Sequence, residues 1–343
     1  MNTIYTIIIT IVVFMIIILI HEFGHFIAAK SVGVLVHEFS IGFGPAIYKK
    51  KRAETQYTVR LLPIGGFVNL EGEDEKSNDP RALNKKPIWA RLIVMAAGAA
   101  FNLILGFIIY LCISTAVPQM STLTVDGINT EIANPPAAGI LQQGDEIAAI
   151  NGKRLWYYKD LYIIMSTEVN GSPVNLTIKR NGAVKDVTIT PIQYNNRYIF
   201  GTIMKSEKMN LINAFKYAVG ETFFVIRWVF YSLMMLFSGK VAVTDMSGPV
   251  GAGTIIGTAA KEGWPDLLNI FALLSVNIGI FNLIPFPALD GGRIFFLFIE
   301  FIRRKPLPPE KEGVIHFAGL VLLMILMVVI TSSDIYKLFM PKG

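Results

Sequence analysis

His21-Glu22-Phe23-Gly24-His25 places two imidazoles four residues apart, with a carboxylate directly after the first. On a helix, residues four apart share a face, so His21 and His25 can offer ring nitrogens to one Zn2+ ion. Glu22 is displaced about 100° around the helix, near enough to reach a water at the metal without being the preferred ligand. Catalytic zinc takes three protein ligands, so a third must come from elsewhere. His37 and His316 read as solvated or capping residues. Asp290 is the stronger candidate, because it stands where Pro285, Pro287, Gly291 and Gly292 break a long apolar helix. Zinc, one Asp carboxylate and one hydroxide sum to zero charge, which suits a low-dielectric pocket.

The elements that must hold these groups are membrane helices. The chain has 343 residues, 53% of them apolar and only 16% charged, and Ile4 to Ile20 is an unbroken apolar run. That run lacks a basic leader and a small-residue cleavage site, so it reads as a retained helix rather than a signal peptide. The sequence predicts a polytopic α-helical membrane protein with about four transmembrane helices, a membrane-associated β-hairpin or small sheet, and one extracytoplasmic α+β domain. The spans fall at 1–30, 90–117, 267–302 (interrupted by prolines) and 314–333. Region 31–89 is the hairpin and loop, with short strands at Val34–Phe39, Ala46–Lys49, Gln56–Leu62 and Gly66–Leu70. Region 120–205 has the alternation of a soluble domain, with an Asn181-Gly182 hairpin turn.

Lys and Arg cluster between the first two spans and at Arg303-Arg304-Lys305, which assigns both loops to the cytoplasm and 120–205 to the opposite side. The 211–237 stretch is apolar enough to propose as a fifth span. An extra crossing would invert everything downstream, so 206–266 reads as an interfacial amphipathic region. The net charge of +6 is too small and scattered to suggest nucleic acid. Cys112, the single cysteine, excludes a disulfide framework and reads as a packed core thiol. Two other function classes, a membrane-anchored adaptor with a vestigial metal site and a metal transporter, are disfavoured by the intact motif and by the apolar path on the outer side.

Together these motifs resemble the site-2 protease family of intramembrane zinc metalloproteases (peptidase family M50), of the bacterial RseP type. The resemblance covers nearly the whole chain, including the Gly42-Phe43-Gly44 hairpin and Ser247-Gly248-Pro249-Val250-Gly251. It implies that Asp290 is the third zinc ligand, that Asn282, Pro285 and Pro287 form the substrate-contacting Asn-x-x-Pro-x-Pro pattern, and that 120–205 is PDZ-like, with Gly144-Asp145-Glu146 opening the strand-turn pattern. It further implies that the substrates are single-span membrane proteins, anti-sigma factors or remnant signal peptides, first trimmed in some cases by another protease, and that the chain resides in the bacterial inner membrane, with its active site toward the cytoplasm. The chain departs from the pattern at Ala97-Gly98-Ala99-Ala100-Phe101-Asn102, where the family usually has Gly-Pro. A Gly42-Phe43-Gly44 edge could accept an unwound substrate as an added strand.

Overall fold

The structure, a computed structural model, describes residues 3–73, 75, 77–195, 197–242, 244, 246–305 and 308–339. In chain order it holds α1 (Thr3–Ser31), β1 (Val36–Arg52), β2 (Thr55–Leu70), α2 (Ile88–Ser114), β3 (Gln119–Ile128), β4 (Glu146–Ile150), β5 (Lys153–Arg154), α3 (Tyr158–Thr167), β6 (Val174–Arg180) and β7 (Ala183–Ile189). There follow β8 (Ile192–Tyr194), β9 (Arg197–Ile199), β10 (Thr202–Lys208), α4 (Leu211–Phe237), α5 (Pro249–Glu262), α6 (Trp264–Leu283), α7 (Asp290–Arg303) and α8 (Pro309–Phe339). They form two compact units, residues 111–224 and the remainder.

In the larger unit, helices meet where side chains are absent. A Cβ on Gly24 of α1 would lie 2.5 Å from Ala97 O of α2, and one on Gly257 of α5 would lie 2.5 Å from Thr6 Cγ2 of α1. Lipid tails are as apolar as leucine, so helices gain by close approach rather than by hiding apolar surface, and glycine permits that approach. Gly253 and Gly257, four apart on α5, meet Thr10 and Thr6, four apart on α1. The start of α5 is tied down by Asp334 of α8, whose Oδ2 accepts hydrogen bonds from Gly248 N at 2.9 Å and Gly251 N at 2.8 Å. Sequence periodicity did not reveal α5, because fourteen residues with three glycines are neither long nor apolar enough to stand out.

Four short strands were expected in 31–89, and the structure has two long ones, each folded back on itself. Residues 38–41 of β1 pair with 66–69 of β2 on one side and with 56–59 on the other, while 48–52 pair with 55–59. The bend in β1 is made by Gly42 and Gly44, both at φ 84, a left-handed conformation that costs glycine nothing. Phe43, Ile47, Tyr48, Leu61 and Leu62 are exposed on this sheet, as suits a surface facing lipid or a membrane substrate.

Among the described residues, five helices are long and apolar enough to cross a membrane, one more than the four expected. The extra one is α4, the least apolar of the five. Glu221 and Arg227 weigh against it in sequence, but Glu221 is only 1% exposed and has partners, so its charge does not interrupt the helix. Cys112, expected in a core, is exposed on α2; in a membrane helix an apolar thiol has no reason to turn inward.

The 111–224 unit is built on a sheet of order β10-β3-β4-β6-β7, with β5 on β4 and a separate β8-β9 ladder. Val125, Ile147, Ile150, Leu176, Ile178 and Ile189 form its core together with Leu161 and Met165 of α3. The alternation in β6, with Val174, Leu176 and Ile178 buried, is the period-two signal of a half-buried strand.

Candidate metal centre

α1 carries His21 and His25 on one face, and α7 begins at Asp290. Their donor atoms converge: His21 Nε2 to Asp290 Oδ2 is 3.1 Å, His25 Nε2 to Asp290 Oδ2 is 3.3 Å, and the two Nε2 atoms are 3.2 Å apart. Donors about 2.1 Å from a tetrahedral zinc lie roughly 3.4 Å from one another, close to these separations. The side chains are only 10, 12 and 19% exposed. Asp290 Oδ2 is buried and accepts no hydrogen bond. Such an atom is costly unless a cation completes it, so the donor set fits a metal ion. Glu22, beside His21, lies within electrostatic range of both histidines and of Asp290.

The surrounding chain fixes the imidazoles. His25 Nδ1 donates to Val94 O of α2 at 2.8 Å, which leaves Nε2 with its lone pair toward the centre. His21 Nδ1 lies 3.4 Å from the amide of Asn102, which is fully buried. With Nε2 at the metal position, Nδ1 carries the proton. Asn102 Oδ1, otherwise without a hydrogen-bond partner, becomes the acceptor once the amide is turned over. Ser275 of α6 donates to Asn102 O at 2.8 Å and ties this part of α2 to α6.

Glycines make the room. A Cβ on Gly98 would stand 2.4 Å from His25 Nε2 and 2.7 Å from His21 Nε2; one on Gly291 would stand 2.2 Å from Ile284 O, and one on Gly292 2.4 Å from Phe286 O. The second and third let α7 start tightly against the 284–289 loop. Gly66 of β2 belongs here too, since its Cβ would lie 2.7 Å from Ser40 O and 3.8 Å from Glu22 Cγ. Sequence reasoning missed Gly66, Gly98 and Asn102, although Gly65-Gly66 and Ala97-Gly98-Ala99 were signals of close approach. Asn282 is half-buried in the last turn of α6, and Pro285 and Pro287 lie in the following loop. Gly42-Phe43-Gly44 forms the bend of β1, and Gly66 of β2 is a sheet residue beside Glu22.

The peptidase family M50 profile matches residues 9–326. The chain belongs to peptidase family M50. It is a zinc metalloendopeptidase of the membrane, and its His21, His25 and Asp290 form a cluster whose donor atoms are placed to hold one metal ion. A provisionally named zinc metalloprotease of Clostridium acetobutylicum is 40% identical over 96% of this M50 chain and 97% of its own length. The regulator of sigma-W protease RasP of Bacillus subtilis is 31% identical over 98% of this chain and 99% of its own. Its 422 aligned positions exceed the 343 residues here, so that relative carries inserted residues that this M50 protease lacks. A PDZ domain of an SdrC-like protein from Listeria innocua matches 27% of the chain and 99% of its own at 20% identity, with a TM-score of 0.21.

Proposed function

We propose that this M50 protease hydrolyses peptide bonds inside the membrane-spanning segments of single-span proteins or signal peptides, with His21, His25 and Asp290 as zinc ligands and Glu22 as the proton carrier. The observation that carries this reading is the triangle of three donor atoms 3.1 to 3.3 Å apart around a carboxylate oxygen that has no hydrogen bond. Zinc bound there supplies Lewis acidity and lowers the pKa of water. Glu22 takes the proton of the attacking water and returns it to the leaving amine. Val94 O and Asn102 hold the imidazoles in the tautomers that keep Nε2 free.

A helical substrate must unwind before its amide can be reached, and each backbone group freed in lipid costs several kcal/mol unless it is paired. Residues 66–69 of β2 pair with β1 on one side, and Gly66 sits beside Glu22. An unwound segment added along this margin would bring its backbone past the proton carrier. Asn282 has both a donor and an acceptor for one exposed peptide group. Pro285 and Pro287 keep the following wall extended, and Phe43 offers apolar contact.

The proposed topology has four crossings, with 120–205 as a PDZ-like extracytoplasmic domain and α4 at the interface. Residues 211–224 of α4 belong to the same compact unit as the sheet domain. An extra crossing at α4 would put Arg303 and Arg304 on the side opposite the first basic loop, and this charge asymmetry supports α4 at the interface.

Two measurements test these readings. Glu22→Gln is expected to lower cleavage by about 10²- to 10⁴-fold with zinc retained, whereas Asp290→Ala loses both; an Asp290→Ala protein with full zinc content removes Asp290 from the ligand set. In intact cells, after Cys112 is replaced, a cysteine at Asn181 is expected to react with an impermeant reagent. Labelling only after lysis would reverse the topology.

A further inference from the structure

We propose that His316 of α8 is a positioning residue for the metal centre, holding the loop that delivers Asp290 through a hydrogen bond to the backbone of Ala288. The inference rests on the reading of Asp290 as a ligand and extends it to a helix that contributes no donor.

Ala288 stands two residues before Asp290 and has φ 76. In that left-handed region a Cβ crowds the backbone, so an alanine stays there only where its surroundings hold it. The holding contact is specific. Ala288 N donates to His316 Nδ1 at 2.9 Å. The N–H can have no partner within α7, whose first residue is Asp290, and the imidazole nitrogen that accepts it comes from the second turn of another helix.

Two further contacts bring the same helix against this stretch of chain. A Cβ on Gly319, one turn after His316, would lie 2.5 Å from Pro287 Cβ and 2.6 Å from Pro287 O, so α8 approaches the loop as only glycine allows. The His316 ring packs edge-on against Phe296 of α7 at a centroid distance of 5.3 Å. His316 therefore touches the chain on both sides of Asp290. Its Nε2 is buried and has no hydrogen-bond partner, and Glu312 Oε1 lies beyond bonding distance at 3.7 Å. Among the described residues, the hydrogen bond this ring makes is the one to Ala288. A residue placed only for helix capping or for solubility would not bury a ring nitrogen in order to use the other on a strained loop.

The atom that matters is Nδ1, which asparagine Oδ1 imitates and glutamine Oε1, one methylene further out, does not. The experiment uses full-length protein in detergent, loaded with zinc and titrated with a chelator, with metal content as one readout and the visible spectrum of the Co2+-substituted protein as the other. His316→Ala is expected to release zinc at about tenfold lower chelator strength, the equivalent of one lost hydrogen bond, and to change the Co2+ band. His316→Asn is expected to stay close to wild type and His316→Gln to follow His316→Ala. Adding Ala288→Gly to His316→Ala is expected to recover part of the loss, because glycine occupies φ 76 without strain. The proposal is overturned if His316→Ala holds zinc as wild type does while Asp290→Ala does not, if Gln serves as well as Asn, or if Ala288→Gly recovers nothing. Zinc retained by Asp290→Ala overturns both this proposal and the ligand assignment beneath it.

Discussion

The two compact units differ in where buried polar atoms are left without partners. Among the described residues, the buried side-chain atoms without a hydrogen-bond partner are Arg91 Nε, Asn102 Oδ1, Asn277 Oδ1, Asp290 Oδ2 and His316 Nε2, all in the unit that holds the metal centre. In the 111–224 unit the buried charges are matched. Asp145 receives Arg180 Nε and Nη2, both at 2.8 Å, and Gln142 N at 2.8 Å. Glu221 receives Lys159 Nζ at 2.6 Å and Tyr157 Oη at 3.1 Å. An unpaired buried atom costs roughly 1–3 kcal/mol; at Asp290 Oδ2 the proposed metal completes the set, and at Asn102 Oδ1 the His21 Nδ1–H does so once the amide is turned over. The difference separates residues retained for chemistry from residues retained for cohesion.

If that division holds, cutting a matched charge should harm folding before activity. The largest such effect is expected at Glu221, 1% exposed, where Tyr157 and Lys159 close over the carboxylate. Burial, and then the Glu221 charge, push the Tyr157 phenol well above its usual range, so it stays a donor at every accessible pH. Removing one member of a buried pair costs about 3–5 kcal/mol, and the lower end applies here because Lys159 keeps some contact with solvent. Glu221→Ala should therefore lose about 3 kcal/mol, read as a lower protease-resistance midpoint, while the zinc content of the folded fraction is unchanged. A variant that keeps its stability but loses zinc would erase the contrast between the units.

The opposite result is expected at Asn282. Asn282→Leu should slow cleavage of a helical substrate by about 1–3 kcal/mol in kcat/KM, the cost of a substrate peptide group left unpaired. Its unfolding midpoint and zinc content should match wild type. A substrate with Gly or Pro near the scissile bond should lose less. Equal rates for wild type and Asn282→Leu on the helical substrate would exclude Asn282 from substrate binding.

What the sequence made legible follows the same line. His21, Glu22 and His25 were readable because the helical repeat alone brings them together, and Asp290 because prolines and glycines in an apolar run need a reason. His316 and Asn102 were not readable, since each acts across helices through one atom, and no local pattern records which helices touch. The sheet was half readable: its strands showed, but the double pairing of 38–41 depends on Gly42 and Gly44 bending a strand that continues through them. The α4 helix was visible as an apolar stretch. That its Glu221 is neutralised by Lys159, sixty-two positions away, was not.

The smallest effect, and the most direct test of the matched unit, concerns Asp145. Its hydrogen bonds from Arg180, reinforced by Gln142 N, hold its carboxyl below the usual range, and burial opposes them without winning. A carboxylate whose folded pKa is depressed contributes stability that is fully present above its unfolded value of about 3.9 and is lost as pH falls through the folded value. Between neutral pH and about pH 5 this contribution is constant, and below about pH 4 it drains away. Asp145→Asn keeps the shape and part of the hydrogen bonding but cannot titrate. It should be modestly less stable than wild type at pH 7, and the gap should narrow steadily as the pH is lowered from 4 to 2. Limited proteolysis of the full chain within β3 to β7 across that range supplies the comparison. Parallel acid profiles for wild type and Asp145→Asn would show that the Asp145–Arg180 pair does not tie β4 to β6 in the way its geometry indicates. The cohesion of the sheet would then rest on its strand ladders and on the apolar core around Val125, Ile147 and Ile178.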